Sequence, residues 1–294
     1  MNKQLKANIL LLIITIFWGS SFIIMKNELD NISPFNLISL RFAIAFIISV
    51  LIFHKNLVKL NFKAVKNSFI LGFLLFLVFS LMTIGINLTS ASNAGFIMGL
   101  TVVMIPALIV LFFKQNIDKK LILSICISVT GISLVTLKDN LSFNIGDLLC
   151  IMSAIFSALH IIYTDKLTKE VDSINLGIMQ FGFVAFFSFL VSVIFENPVL
   201  PQTSSSWGAI LLLSVFCTAI AIIVQTIAQK HTTATNTGLI FSLEPVSAAF
   251  FAYIIAGEVL SIQGYIGSII LLTGILSAQI DLSFFNRKRV FLKN

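Results

Sequence analysis

The chain has 294 residues, of which 58% are hydrophobic and 11% are charged, and its formal net charge is +7. Soluble domains carry about 25% charged residues, so this composition excludes a soluble globular protein and predicts one polytopic membrane domain. The positive charge requires no nucleic-acid partner, because basic residues also mark the cytoplasmic loops of membrane proteins. We therefore expect the lipid bilayer as the surroundings of the chain.

Apolar stretches long enough to cross a hydrocarbon core of about 30 Å recur along the whole chain. Polar residues separate them into ten predicted spans, at 8–26, 34–53, 68–88, 92–113, 121–137, 146–163, 175–195, 207–228, 236–256 and 263–281. The first span continues without a small-residue cleavage pattern, so we interpret it as an uncleaved helix. The sequence therefore predicts an all-α integral membrane protein with ten transmembrane helices.

The second half of the chain repeats the first at a distance of 143 residues. Asn93 corresponds to Asn236 in this alignment, and the Thr-Gly-Ile at 130–132 corresponds to the same three residues at 273–275. In so apolar a chain, chance matches of Ile or Leu are common, but matches of Asn and Gly at one fixed distance are not. The pattern indicates an internal duplication.

Ten spans divided between two repeats leave five in each, and this odd number gives the repeats opposite orientations in the membrane. We assign the first repeat to residues 1–140 and the second to residues 141–294, which end in a short basic tail. A 5+5 inverted repeat permits alternating access, because exchanging the conformations of the repeats moves the opening of a central cavity across the membrane. The sequence thus favours a solute carrier.

Lysine and arginine residues fall almost entirely on one side of the predicted topology. The opposite side holds Lys138, and Lys26 lies at the end of the first span. The positive-inside rule then places both termini in the cytoplasm. The many Ile, Lys, Asn and Phe residues are typical of an AT-rich genome, so we expect the plasma (inner) membrane of a bacterium.

Polar or aromatic residues inside the predicted spans are the candidates for substrate binding: Trp18, Ser21, Asn93, Gln225, Asn236 and Glu244. Glu244 is the most costly of them, because it lies about 12 Å inside the ninth span at 1.5 Å per residue. A carboxylate at that depth must face the protein interior, pair, or stay protonated. It could couple transport to protons, bind a cationic group, or form a structural hydrogen bond beside Pro245. Trp18 and Ser21 could equally serve helix packing.

Arg41 and His160 also lie inside predicted spans. Arg41 could attract a carboxylate or phosphate, but we favour an arginine that extends to the surface or pairs with Glu28 or Asp30. His160 could relay protons, but histidine is common near the cytoplasmic end of a span, and we favour that interpretation.

The chain lacks the motifs of nucleotide hydrolases and membrane enzymes. It contains no G-x-x-x-x-G-K-[ST] phosphate loop, no H-E-x-x-H and no G-x-S-x-G. Cys126, Cys150 and Cys217 have no metal-ligand spacing. We therefore expect no catalytic residue, no metal and no cofactor. The expected partners are a small-molecule substrate and, as a candidate coupling ion, the proton.

Several motifs together resemble the EamA-type carriers of the drug/metabolite transporter superfamily. They are Trp18-Gly19-Ser20-Ser21-Phe22, Arg41-Phe42 after Pro34, Leu243-Glu244-Pro245-Val246 followed by Gly257-Glu258, and Gly267 with Gly274. The resemblance covers essentially the whole chain. It implies ten helices in a 5+5 inverted repeat, cytoplasmic termini, a central cavity, and secondary transport of small metabolites without ATP hydrolysis, commonly the export of amino acids or related compounds. One departure is Lys114-Gln115, where the second repeat has Gly257-Glu258.

A second class of function stays open for the sequence. The chain could be a non-transporting membrane protein, either a lipid-handling protein or a structural partner in a complex. A closed polar cavity on the axis between the repeats favours the carrier, whereas a packed and dry axis favours this alternative.

Overall fold

The structure, a computed structural model, describes residues 3–57, 61–89, 91–114, 118–136, 144–256 and 262–279. These residues are helical apart from short links, and no strand occurs among them. The helices are α1 Lys3–Glu28, α2 Pro34–Leu57, α3 Phe62–Leu88, α4 Ala91–Gly99, α5 Thr101–Phe113, α6 Lys119–Thr136, α7 Ile145–Leu167, α8 Ser173–Phe195, α9 Ser204–Ser214, α10 Ala221–Gln229, α11 Ala234–Phe241, α12 Glu244–Ala256 and α13 Ile262–Gln279. A π-helical turn, Val215–Ile220, joins α9 to α10. Lys138, Gly257-Glu258 and the basic tail lie outside the described residues.

Six helical stretches among the described residues are long and apolar enough to cross a membrane: α1, α2, α3, α7, α8 and Ser204–Gln229. The predicted spans at 92–113 and 236–256 are each broken into two helices, and those at 121–137 and 263–281 are the shorter α6 and α13. The all-helical membrane architecture is confirmed. The count of ten crossings stays a prediction.

The two broken helices are interrupted at equivalent positions of the sequence repeat. Helix α4 gives way to α5 at Leu100, and α11 gives way to α12 around Leu243. Pro245 is the second residue of α12, where its missing N–H costs no intrahelical hydrogen bond. The breaks leave Thr101 and Glu244 as the first residues of α5 and α12.

Equivalent helices of the two repeats, α6 and α13, pack against each other in opposite directions. The backbone of Gly131 lies against Leu271, and Gly274 lies against the backbone of Ser128. Each contact is the image of the other, since the 143-residue shift turns Gly131 into Gly274 and Ser128 into Leu271. The residue numbers of the contacting pairs fall along α13 as they rise along α6, so the two helices are antiparallel.

Helices α2 and α8 form a second equivalent pair with the same geometry. The backbone N–H groups of Phe35 and Asn36 donate to the Glu196 carboxylate at 3.0 and 2.9 Å. Two to three turns further along α2, the Phe46 ring faces Gly182 of α8. The pairing again runs in opposite directions. Helix α1 packs on α10, α11 and α12, and its equivalent α7 packs on α3, α4 and α5, so each repeat inserts its first helix into the other.

The glycine contacts between α6 and α13 make a prediction about stability. A Cβ atom at Gly131 would lie 2.5 Å from the Leu271 nitrogen and 2.8 Å from the Gly267 oxygen, both backbone atoms that cannot turn aside. We expect Gly131→Ala to lower the free energy of unfolding by about 1–3 kcal/mol, the usual cost of overpacking. Thermal unfolding of the purified protein in detergent measures the effect. Gly208→Ala is the control, because an added Cβ there meets nothing within 4 Å; equal midpoints for the two variants would refute the close contact.

Candidate functional site

A cavity with about 710 Å³ of empty volume lies between the two repeats. Helices α1, α2, α3 and α4 of the first repeat and α7, α10, α11 and α12 of the second contribute to its wall, together with Thr101 at the start of α5. The wall combines aromatic and apolar side chains with a small number of polar and ionisable ones.

The candidate residues from the sequence separate into three groups. The cavity wall includes Trp18, Ser21, Gln225 and Glu244. The side chain of Asn93 lies outside the described residues. Asn236 is not part of the wall: its Nδ2 donates to Thr232 Oγ1 at 3.0 Å and to Asn8 Oδ1 at 3.3 Å. These hydrogen bonds tie α11 to the beginning of α1.

The π-helical turn presents a backbone carbonyl to the cavity wall. Its wider winding is visible in the hydrogen bond from Thr218 Oγ1 to the Leu213 oxygen, five residues earlier, at 2.9 Å. The Cys217 oxygen accepts from the indole N–H of Trp18 at 2.9 Å and from Nη2 of Arg41 at 3.1 Å. Turns of π-helix are frequent at functional sites. Here one carbonyl orients a residue of α1 and a residue of α2.

Arg41 is 1% exposed and lines the cavity. Its Nε donates to the Thr218 hydroxyl, Nη1 lies 3.1 Å from the Met25 sulfur, and its guanidinium carbon lies 4.7 Å from the centre of the Phe79 ring. Together with the Cys217 contact, these hydrogen bonds use three of the five N–H groups of the guanidinium. Two N–H groups remain for an anion.

The position of Arg41 corrects the interpretation favoured on sequence grounds. The side chain does not reach the surface, and within the described parts of the chain it forms no ion pair with Glu28, Asp30 or any other carboxylate. A buried charge without a partner is costly, so an arginine is expected there only where function requires it.

Glu244 is the only carboxylate among the described residues that line the cavity. Its oxygens accept no hydrogen bond from the described residues, and neither oxygen is sealed from the cavity. The structural hydrogen bond beside Pro245 is therefore absent from this part of the chain. As the first residue of α12, Glu244 lies where the helix dipole favours negative charge.

His160 also departs from the favoured interpretation, since it is 3% exposed and lines the cavity. Its Nε2 lies 2.9 Å from Oε1 of Gln180 in α8. Because an amide oxygen only accepts hydrogen bonds, Nε2 carries a proton in this arrangement. A helix-to-helix hydrogen bond thus fixes the imidazole beside the cavity.

Hydrogen bonds between the repeats lie at both ends of α1. At the beginning of α1, Thr232 Oγ1 donates to Asn8 Oδ1 at 3.2 Å. At its end, Lys26 Nζ donates to the Thr89 oxygen, and Thr89 Oγ1 donates to Asp147 Oδ1 of α7 at 2.6 Å. Thr89 and Thr232 are equivalent in the 143-residue repeat. We call these the Thr89 link and the Thr232 link; they join the repeats on opposite sides of the cavity.

Comparison with known proteins finds the same duplication. The model of the EamA-like transporter family matches residues 5–137 and matches again at 144–278. An uncharacterized transporter of Archaeoglobus fulgidus is 28% identical over 274 residues, covering 93% of this chain and 86% of the relative. The uncharacterized transporter YyaM of Bacillus subtilis is 26% identical over 288 residues, covering 94% of each. These matches confirm the resemblance drawn from the motifs.

A solved crystal structure shares the fold. It superposes with a TM-score of 0.76 at 17% identity, covering 93% of this chain and 96% of that one. At this identity the likeness concerns the fold alone.

The two carboxylates Glu244 and Asp147 differ in their hydrogen bonds, and this difference predicts different stabilities for their amide variants. Asp147 accepts from Thr89 Oγ1 and, at 3.0 Å, from the backbone N–H of Asn144. Asp147→Asn loses one acceptor, so we expect the free energy of unfolding to fall by about 1–2 kcal/mol. Glu244→Gln loses no such bond and should unfold at or above the wild-type temperature. A clearly lower midpoint for Glu244→Gln would show that the carboxylate has a structural partner.

Proposed function

On the premise that this chain belongs to the EamA-like transporter family, we propose that it is a secondary transporter that exports an amino acid or a related zwitterionic metabolite. Transport proceeds by alternating access and without ATP hydrolysis. The observation that supports this substrate class is the presence of Arg41 and Glu244, both without a protein ion-pair partner among the described residues, in the wall of one cavity.

Two unpaired charges of opposite sign match a molecule that carries one carboxylate and one ammonium group. The two free N–H groups of Arg41 suit a carboxylate, which guanidinium binds through two hydrogen bonds. The unbonded oxygens of Glu244 suit an ammonium group. A substrate with only a carboxylate would leave Glu244 uncompensated, and one with only an ammonium group would leave Arg41 uncompensated. A zwitterion is therefore favoured over a simple acid or amine. Trp18 and Ser21 form part of the wall around it.

Alternating access is supported by the relation between the repeats. Equivalent helices run antiparallel, and we propose that the ten predicted spans form a 5+5 inverted repeat divided near residue 140. The Thr89 link and the Thr232 link join the repeats on opposite sides of the cavity. Opening one link at a time would expose the cavity to one side of the membrane at a time.

Glu244 is also the proposed point of coupling to protons. A carboxylate in the membrane interior is tolerated when it is protonated or paired. Binding of the substrate ammonium requires the ionised form, so proton and substrate would compete for the same oxygens. This competition would let a proton gradient drive the substrate in the opposite direction.

The alternative of a non-transporting membrane protein is less well supported. A structural partner or a lipid-handling protein has no need of an arginine and a glutamate without partners in a cavity between its repeats. The cavity therefore favours the carrier.

Reconstitution of the purified protein into liposomes tests the proposed function. We expect uptake of at least one of the twenty radiolabelled proteinogenic amino acids, with and without a pH gradient. Arg41→Gln and Glu244→Gln should each raise KM about tenfold or more, because a hydrogen bond to a charged group contributes about 1.5–3 kcal/mol. Glu244→Gln should also flatten the dependence of the rate on pH, since the variant has no carboxyl proton to exchange.

Glu170→Gln is the matched control for Glu244→Gln, because Glu170 is exposed, pairs with Lys63 at 3.0 Å and lies outside this cavity. It should transport like the wild type. An unchanged rate and pH dependence in Glu244→Gln would remove Glu244 from the mechanism. Failure of the wild type to move any of the twenty compounds would refute the proposal that proteinogenic amino acids are its substrates.

The orientation of the chain is the remaining part of the proposal. We propose the plasma membrane of a bacterium, with both termini cytoplasmic, on the basis of the uneven distribution of lysine and arginine. Green fluorescent protein fused to either terminus should fluoresce, because it folds in the cytoplasm. Alkaline phosphatase fused at the same points should be inactive; an active fusion would reverse the assignment for that terminus.

A further inference from the structure

We propose that Gln229, which lies outside the cavity wall, determines which end of the Gln225 amide faces the cavity. The oxygen presented in this way makes the cavity specific for substrates that carry N–H donors. The inference rests on the proposed function, because it assigns specificity within the same site. Gln225 is 2% exposed and Gln229 is fully buried.

The orientation follows from a chain of hydrogen bonds that begins at a backbone carbonyl. Gln229 Nε2 donates to the Ile161 oxygen at 3.0 Å. Because a carbonyl oxygen can only accept, the amide of Gln229 cannot be reversed without losing this bond. Its Oε1 must therefore face Gln225, whose Nε2 donates to it at 2.9 Å. The backbone of α7 thus fixes the direction of both amides.

The last polar atom in this series of hydrogen bonds is Gln225 Oε1. It accepts no hydrogen bond from the described residues, and it is not among the polar atoms sealed from the cavity and solvent. Since Gln225 lines the cavity, its oxygen is an acceptor that faces the transported molecule. The amide nitrogen, which could have bound a carboxylate, faces away.

Gln225 and Glu244 contribute differently to recognition of an ammonium group. The charge of Glu244 attracts any cation, including one whose nitrogen is fully methylated. An amide oxygen is neutral and stabilises a cation best through a directed N–H···O bond. A site built around such a bond rejects an analogue without the donor, because the buried acceptor is then left unpaired.

The repeat places this acceptor on one side of the cavity only. The residues equivalent to Gln225 and Gln229 in the first repeat are Met82 and Ile86. Met82 lines the cavity, as Gln225 does, but it offers no comparable acceptor. The amide pair is therefore a specific feature of the second repeat and is not required by the shared fold.

The test uses the amino acid that the wild type carries fastest in liposomes, with its N,N-dimethyl and N,N,N-trimethyl derivatives. All three ammonium groups carry a positive charge, but the dimethyl derivative keeps one N–H donor and the trimethyl derivative has none. We expect the wild-type KM to be highest for the trimethyl derivative. In Gln229→Leu the KM ratio of the trimethyl derivative to the parent should shrink about tenfold, with the maximal rate for the parent largely retained.

Two further variants separate orientation from packing. Gln229→Glu can restore the chain, because a protonated carboxyl group donates to the Ile161 oxygen and accepts from Gln225, so the wild-type ratio should return. Thr226→Val is the control on α10: it removes hydrogen bonds to the Ile222 and Ile223 oxygens and does not reach the cavity. Its ratio should match the wild type.

The outcomes distinguish this inference from the proposed function. A wild-type protein that moves no amino acid refutes both, whereas a wild type that transports without preference among the three compounds refutes only the inference. A Gln229→Leu variant with the wild-type ratio also overturns it. Should that variant not fold, Gln225→Leu replaces it, and an undiminished ratio there is equally decisive.

Discussion

The structure depends on one constraint, which is that a backbone N–H or C=O group in the hydrocarbon core must find a partner within the protein. An unpaired group costs several kcal/mol, so irregular backbone is tolerated only where it is buried or lines a cavity. Three interruptions of the helices obey this rule: the break at Leu100, the break around Leu243 and the π-helical turn at Val215–Ile220. The two breaks place Thr101 and Glu244 in the cavity wall, and the π-helical turn accepts hydrogen bonds from Trp18 and Arg41, which also line it.

The backbone of the two repeats is far more symmetric than the chemistry placed on it. The helix breaks, the glycine contacts of α6 with α13, and the threonines of the two links all obey the 143-residue shift. The polar residues of the cavity do not: Thr101 occupies the position equivalent to Glu244, and Val184 occupies the position equivalent to Arg41. Symmetric packing suits the proposed exchange of two conformations, and the unequal charges would fix the orientation of the proposed zwitterionic substrate.

The two links between the repeats differ in strength. The Thr89 link includes Asp147 and is supported by Lys26, so it contains charge-assisted hydrogen bonds. The Thr232 link consists of neutral groups, with Asn8 as its acceptor. Hydrogen bonds to charged groups are about twice as strong as those between neutral groups. Among these contacts, the charge-assisted hydrogen bonds therefore belong to the Thr89 link.

Membrane residence, helical architecture and duplication were determined by the sequence itself, because lipid restricts the backbone to a small set of solutions. Composition and hydropathy are enough to recognise those solutions. The sequence also indicated Trp18, Ser21, Gln225 and Glu244 as residues that face the protein interior. It did not place Arg41 and His160 correctly, because distance from the end of a span does not tell which face of a helix points inward.

The tertiary structure decides which face of each helix points inward. Arg41 is held inside by the Cys217 carbonyl, which only the π-helical turn makes available, and His160 is held by Gln180 of another helix. Asn236 lies beside Asn8, more than two hundred residues away in the chain. Hydrogen bonds between distant helices set the rotation of each helix, and no local pattern encodes them. The sequence indicated polar residues inside the spans, and the packing of the repeats decided which of them line the cavity.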